Sequence, residues 1–259
     1  MPLSSRPSSR GGMAAGGYQD MCGRYALIQP PGALRALFGF EERPGFPPRY
    51  NVAPGQPVPV VRREGTRRHF MLVCWGLIPS WAKEEPKTPI INARAETCAE
   101  KPSFRGPFRH RRCLMPADGF YEWKPGRGRA KQPYFIRRRD GKPFAMAALW
   151  DVWMAGNGSE IDTCAVITVA ANATLAPIHG RMPAILDEAE WEAWLDPSTS
   201  PKDLMALLKP APDGLLEAIP VGTRINAAGN EGPALIEPVP ASAGESGSGA
   251  GGGGQLDLF

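Results

Sequence analysis

Proline and glycine punctuate this chain so densely that no long helix has room to form. Prolines number 29 and glycines 30 in 259 residues. Proline removes a backbone donor and clashes with the preceding turn, and glycine weakens the interior of any helix or strand. Many short elements joined by turns are therefore expected. At 42% hydrophobic the chain can bury one sizeable core, with a tail left over. No run of about 18 apolar residues is present, so no membrane-spanning helix is expected. The first twenty residues lack the apolar centre of a secretory signal.

The apolar runs are short and β-branched or aromatic: "PVPVVRR", "HFMLVCWGLI", "RCLMPADGFYEWK", "PYFIRRR", "FAMAALWDVW" and "TCAVITVAA". Bounded by Gly, Pro or charge, they read as strands in mainly antiparallel sheets. "PGALRALFGF", "LDEAEWEAWLD" (186–196) and "SPKDLMALLKP" (200–210) read as helices, the last two with early acidic residues and a proline just beyond. The fold class is thus α+β, a single domain with a few peripheral helices. Its expected span is 21–240, after a Ser/Gly/Arg-rich leader at 1–20 and before the Gly/Ser linker "ASAGESGSGAGGGG" (241–254).

Five cysteines (Cys22, Cys74, Cys98, Cys113, Cys164) form no C-x-x-C pair. An odd set without such pairs argues against a disulfide framework or zinc ribbon and for a reducing cytoplasm. Cys74, Cys113 and Cys164 sit in apolar runs and read as buried small hydrophobes. The overall charge of +4 conceals a polarity: residues 101–142 carry +10 and residues 143–259 carry −11. The basic block suits either a phosphate-facing surface or a set of solvated hairpin loops.

The stretch "MCGRYAL" (21–27) resembles a second translation start. If Met21 is removed, Cys22 becomes an N-terminal 1,2-aminothiol. Its α-amine, with a pKa of about 7.7–8.0, is partly neutral and nucleophilic near neutral pH. It can condense with an aldehyde to an imine, on which the neighbouring thiol closes to a five-membered thiazolidine. Such intramolecular closures reach effective molarities of roughly 10⁵ M or more. Read alone, Cys22 could equally be a buried cysteine at a strand end.

Imine chemistry needs proton donors and acceptors. His69 and His110 lie beside arginines and read as surface-loop residues, whereas His179 lies in the uncharged "APIHG". Glu122 is flanked by Phe120, Tyr121 and Trp123, a setting that raises a carboxyl pKa by desolvation. On its own it could also be an exposed strand carboxylate, and Asn92 could simply hold a turn. Trp75 reads as core. Trp81 and Trp123, each close to charged residues, are better placed to stack on exposed bases.

"RYNVAPGQPVPVV", "WGLIPSWAK", "INARAET", "CLMPADGFYEWK" and "IHGRMPAIL" follow "MCGRYAL" in that order. Together they resemble the SOS-response-associated peptidase (SRAP) family, whose members protect abasic sites in single-stranded DNA. The resemblance runs from Met21 to about Pro238. It implies that Cys22 is the N-terminal nucleophile bonding to the ring-opened abasic sugar. It further implies that Asn92 positions the cysteine end and the sugar, that Glu122 is the acid/base carboxylate, and that His179 transfers protons. Arg24, Asn51, Pro54, Trp81, Arg94 and Trp123 match positions at the DNA surface. The family name implies a peptidase activity, at least on residues preceding the cysteine. No metal or organic cofactor is implied.

The chain ends "QLDLF", which resembles the pentapeptide with which bacterial proteins dock on the β sliding clamp. Leu256, Leu258 and Phe259 would be apolar anchors, Gln255 a polar foothold and Asp257 the spacer between them. The expectation is a monomeric, cytoplasmic protein, associated with the nucleoid or replication fork, that crosslinks to abasic single-stranded DNA. Two alternatives stay open: an N-terminal-nucleophile cysteine amidohydrolase or peptidase, since one class of glutamine amidotransferases also begins Met-Cys-Gly, and a non-catalytic clamp-tethered DNA-binding adapter.

Overall fold

The computed structural model describes residues 22–126 and 131–240. The leader at 1–20, the linker at 241–254 and the 255–259 motif lie outside the described residues. As the proline and glycine content requires, the elements are short. The helices are α1 (Pro31–Phe38), α2 (Ala95–Cys98), α3 (Pro102–His110), α4 (Trp191–Leu195) and α5 (Pro201–Leu207). None among the described residues is long and apolar enough to cross a membrane.

Five strands form an antiparallel sheet: β1 (Tyr25–Leu27), β2 (Arg49–Val52), β7 (Gly119–Pro125), β8 (Lys131–Arg138) and β13 (Leu216–Pro220). Their order is β13-β8-β7-β1-β2. The second sheet contains β3 (Pro57–Glu64), β4 (Arg67–Trp75), β5 (Asn92–Arg94), β6 (Arg112–Ala117), β9 (Phe144–Met154), β10 (Glu160–Ala170), β11 (Arg181–Pro183) and β12 (Ile185–Leu186). Its path runs β11-β10-β4-β3-β6-β9-β12, and β9 also pairs with β10. The strands β10-β4-β3-β6-β9 therefore close on themselves as a small barrel. The architecture is α+β and mostly β, as the sequence pattern implies.

The apolar run of β10 explains its place. Residues Thr163–Val169 are all buried, so both faces of β10 are covered there, and both its edges are hydrogen-bonded. β9 and then β11 pair antiparallel on one side, and β4 and then β5 pair parallel on the other. A strand with two covered faces has no reason to alternate polar residues. Cys113 and Cys164 lie fully buried in this core, while Cys74 is partly exposed. Trp75 is buried, its indole N–H donating to the Ile91 carbonyl at 3.0 Å.

Several elements differ from the sequence reading. "PSFRGPFRH", seen only as part of a basic block, is helix α3 despite Gly106 and Pro107. Pro102 opens it, and Phe104, Pro107 and Phe108 make its buried face. The stretch 186–196 is not one helix: β12 ends there, Asp187 caps a 3-10 turn (Glu188–Glu190), and α4 follows. His69 is on β4 rather than in a loop, its Nδ1 2.8 Å from Glu42 Oε1.

The basic block is also partly internal. Arg112 is 5% exposed and donates to the carbonyls of Phe108, Arg109, Trp194 and Asp196. One guanidinium thus satisfies the otherwise orphaned carbonyl ends of α3 and α4. Arg111 pairs with Asp151, Arg137 with Glu217 and Arg138 with Asp140.

Gly119 begins β7, where that strand passes tightly over β8. A Cβ there would lie against the Phe135 ring and 2.7 Å from the Ile136 carbonyl oxygen. Rigid backbone cannot yield as a flexible side chain would. Gly119→Ala should therefore destabilise the protein by roughly 1–3 kcal/mol, read as a lowered urea midpoint with unchanged slope. An unchanged midpoint would show that β7 and β8 can separate freely.

Candidate active site

Cys22 sits three residues before β1 and is 3% exposed. Burial, reinforced by the nearby Glu122 charge, pushes its thiol pKa well above the usual value, and a hydrogen bond from the Arg24 backbone opposes this. The sulfur is therefore held as a neutral thiol. The Cys22 carbonyl accepts from Asn92 Nδ2 at 3.1 Å. Asn92 opens β5, which is fixed to β10 in parallel register, Asn92 opposite Val166. Its Oδ1 is buried without a partner.

Glu122 lies in β7, 4% exposed, opposite Tyr134 of β8. Burial drives its carboxyl pKa up to about 8, with the Trp123 backbone N–H and the Lys131 charge pulling the other way. At neutral pH this side chain is chiefly the neutral acid, which can donate as well as accept. Oε1 is buried and has no hydrogen-bond partner. It lies 3.8 Å from His179 Nδ1, beyond hydrogen-bond length but within reach of a small movement or an intervening atom.

His179 ends a turn begun by Asn172, whose Oδ1 accepts from Leu175 N and whose Nδ2 donates to the Ala211 carbonyl. The backbone N–H of His179 donates to the Leu175 carbonyl at 2.9 Å. Its Nδ1 lies 3.2 Å from the Arg181 amide nitrogen and 3.1 Å from the Arg181 carbonyl oxygen. The amide can donate only to an unprotonated Nδ1, the tautomer whose proton is on Nε2. A protonated Nδ1 would find the carbonyl instead. One residue thus offers a partner to either state, a suitable arrangement for a group that cycles protons.

The structure therefore brings Cys22, Asn92, Glu122 and His179 together, through three pairwise relations, from four separate parts of the chain. The other predicted positions fall into two groups. Arg24 and Asn51 are joined to each other, Nη1 to Oδ1 at 2.8 Å, and to a strap at residues 225–230. Arg24 donates to the carbonyls of Ile225 and Asn226. Asn51, fully buried, donates to those of Ala227 and Asn230 at 3.0 Å each. Desolvation lowers the Arg24 pKa. Trp123 is half-buried, and its indole N–H donates to Asn226 Oδ1 at 2.8 Å. By contrast, Trp81 is 64% exposed. Arg94, at the end of β5, is exposed, and Pro54 is partly so in the turn after β2.

Sequence reasoning missed Asn226 and Arg181. Asn226 lies in the polar "RINAAGN", which gives no periodic signal. Arg181 follows His179 by two residues. Its guanidinium grips Glu96, reaching Oε2 at 2.9 Å, and donates to the Thr168 carbonyl at 2.6 Å. It thereby ties α2 to β10 beside His179.

A closed β-barrel flanked by a second sheet thus gathers a buried cysteine, amide and carboxylic acid beside a half-buried imidazole. Residues 21–228 match the SOS response associated peptidase (SRAP) family, and the chain belongs to it. It is 39% identical over 222 residues to the abasic site processing protein YoqW of Bacillus subtilis, covering 84% of this chain and 99% of that one. It is 34% identical to the abasic site processing protein YedK of Escherichia coli, covering 85% and 100%. It is 33% identical to the abasic site processing protein HMCES of Gallus gallus, covering 85% and 78%. A Bacteroides thetaiotaomicron protein of known crystal structure superimposes with a TM-score of 0.76 at 29% identity, covering 84% of this chain and all of that one.

The raised carboxyl gives a direct test. The folded protein holds the Glu122 proton to about pH 8, whereas the unfolded chain releases it near the ordinary carboxyl value. The contribution to stability is therefore fully present below about pH 4.5 and is lost as pH rises to about 8. Relative to Glu122→Gln, the parent protein should lose stability over that interval, on the order of 3–5 kcal/mol in all, and no more above it. Urea titrations of both proteins from pH 5 to 9 check this. A constant difference would mean that the buried carboxyl ionises normally.

Proposed function

We propose that this protein processes abasic sites in single-stranded DNA by forming a covalent thiazolidine through Cys22. The single observation that carries the reading is the gathering of Asn92, Glu122 and His179 near the Cys22 end. Asn92 fixes its carbonyl, Glu122 lies close enough to shift its thiol, and Glu122 stands 3.8 Å from His179. The names of the relatives add support from an independent direction.

The chemistry follows from these positions. The free α-amine of Cys22 adds to the aldehyde carbon of the ring-opened sugar, giving a carbinolamine. Loss of water, with the oxygen protonated by His179 or Glu122, leaves the imine. The thiol then adds to the imine carbon, and its proton passes to the imine nitrogen by way of Glu122. One aldehyde and one aminothiol thus give one thiazolidine and one water, with no oxidant consumed. Because burial keeps the sulfur protonated, the amine attacks first and the thiol closes second. The same groups run backwards allow reversal and release of the DNA.

An acylated nitrogen cannot form the imine, so the active form begins at Cys22. Residues 1–21 are absent from that form, either because translation starts at Met21 and the methionine is excised or because the leader is cleaved before the cysteine. Trp81, Trp123, Arg94 and the basic residues of α3 supply stacking and phosphate contacts to the strand.

Mixing protein that starts at Cys22 with an abasic single-stranded oligonucleotide should give a denaturation-resistant adduct. Its intact mass should equal the sum of the two partners less one water. Cys22→Ala and protein retaining an N-terminal extension should give none. Glu122→Gln and His179→Ala should slow adduct formation by about 10²-fold or more. No adduct from protein with a verified free Cys22 end would defeat the reading. Glutamine hydrolysis in its place would favour an amidohydrolase.

The terminal Gln255–Phe259 is proposed to dock on a bacterial sliding clamp. Its support is the match of all five residues behind a glycine-rich tether of 14 residues, whose r.m.s. span is roughly 20 Å. Deleting 255–259 should abolish clamp binding in calorimetry and leave crosslinking in free solution unaltered. Equal clamp affinity without the five residues would rule the docking out.

A further inference from the structure

Trp81 is a large aromatic side chain held largely in solvent, 64% exposed, at the tip of the loop between β4 and β5. An exposed indole on a mobile loop would be a poor stacking platform, because ordering it on binding costs conformational entropy. The backbone around it is not left free. Ile78 N donates to Thr163 Oγ1 at 3.0 Å, Ser80 N donates to Asp151 Oδ2 at 2.9 Å, and Trp153 Nε1 donates to the Ala82 carbonyl at 2.7 Å. A turn bond from Ala82 N to the Pro79 carbonyl closes the tip.

All three anchors belong to the barrel. Thr163 of β10 stands directly opposite Asp151 of β9, and Trp153 is two positions further along the same strand. Asp151 is 2% exposed and is itself fixed by Arg111, by the Val152 amide and, through its own carbonyl, by Thr163 Oγ1. Arg111 in turn lies over the Trp150 ring. The loop base is equally firm. Leu77 N donates to the Ile90 carbonyl and Gly76 N to the Cys164 carbonyl, each at 2.9 Å. Two residues beyond Ile90 stands Asn92, the residue that holds Cys22.

We propose that Asp151 and Trp153 are positioning residues that hold the 78–82 turn in shape, so that Trp81 meets a nucleic-acid base already oriented. The inference rests on the single-stranded DNA reading above. Asp151 reaches the turn directly through the Ser80 amide and Trp153 through the Ala82 carbonyl, and neither is assigned a contact with the strand.

The test is a double-mutant cycle on an intact, lesion-free oligonucleotide, with crosslinking of an abasic strand measured separately at saturation. Trp81→Ala should weaken binding about 5- to 100-fold. Asp151→Ala and Trp153→Phe should each lose a part of that factor. Combined with Trp81→Ala, neither should lose more than Trp81→Ala alone. The crosslinking rate at saturating DNA should be unchanged in Asp151→Ala and Trp153→Phe, which alter only the shape of the turn. Asp151→Asn, which keeps an acceptor for Ser80 while losing the charge pairing with Arg111, should restore affinity. Independent, multiplying losses, or a slowed saturated rate, would overturn the assignment. The folded loop also has a readout without DNA: faster hydrogen exchange at the Ser80 amide in Asp151→Ala. If the parent protein fails to bind single strands, the DNA reading falls, and Ser80 exchange alone then decides whether Asp151 orders the turn. Unchanged exchange would refute that too.

Discussion

Everything in this domain depends on β10 being hydrogen-bonded along both edges. Its eleven residues close the barrel through β9 and β4, and the continuations of the same two edges carry β11 and β5. Asn92 enters the site on β5, and His179 sits just before β11. A strand saturated on both sides cannot shift register without breaking two ladders at once, and a slip of one residue would turn every side chain to the opposite face. The spacing between Asn92 and the His179 turn is therefore as rigid as anything in the molecule. Glu122 arrives from the other sheet, so the site is a seam between two sheets.

The electrostatics of that seam favour neutrality. The Cys22 thiol and the Glu122 carboxyl are both pushed toward their protonated forms by burial, and the Glu122 charge raises the thiol further. Protons are consequently stored close to where the proposed imine chemistry must use them. Under the proposed reading, long-range attraction to DNA comes from the exposed arginines and not from this pair.

Much of this was legible in the sequence because local signals were strong. Apolar runs bounded by Gly and Pro gave β3, β4, β9 and β10, and proline openings gave α1 and α5. The aromatic flanks of Glu122 allowed burial or exposure, and the fold decides for burial at 4% exposure. Other features carried no local signal. "PSFRGPFRH" contains two residues hostile to helices, yet two buried phenylalanines four apart and a proline at its first position sustain α3. The charge count of the 101–142 block could not reveal that Arg112 is an interior ligand for backbone carbonyls, because helix ends distant in sequence create that need. Likewise Asn51 and Asn226 look like ordinary loop residues until the strap at 225–230 folds back onto β2.

That strap, with the turn at His179, sets an order in time as well as in space. Cys22 leaves the ribosome first, whereas His179 follows about 157 positions later, and the strap later still. At about 5–20 residues per second this is an interval on the order of ten to thirty seconds. During it the cysteine end lacks its acid until Glu122 emerges, 100 positions after it, and lacks its imidazole throughout. The assembled centre is thus a property of a nearly complete chain, and a ribosome-bound fragment ending before His179 would present the cysteine without its full machinery.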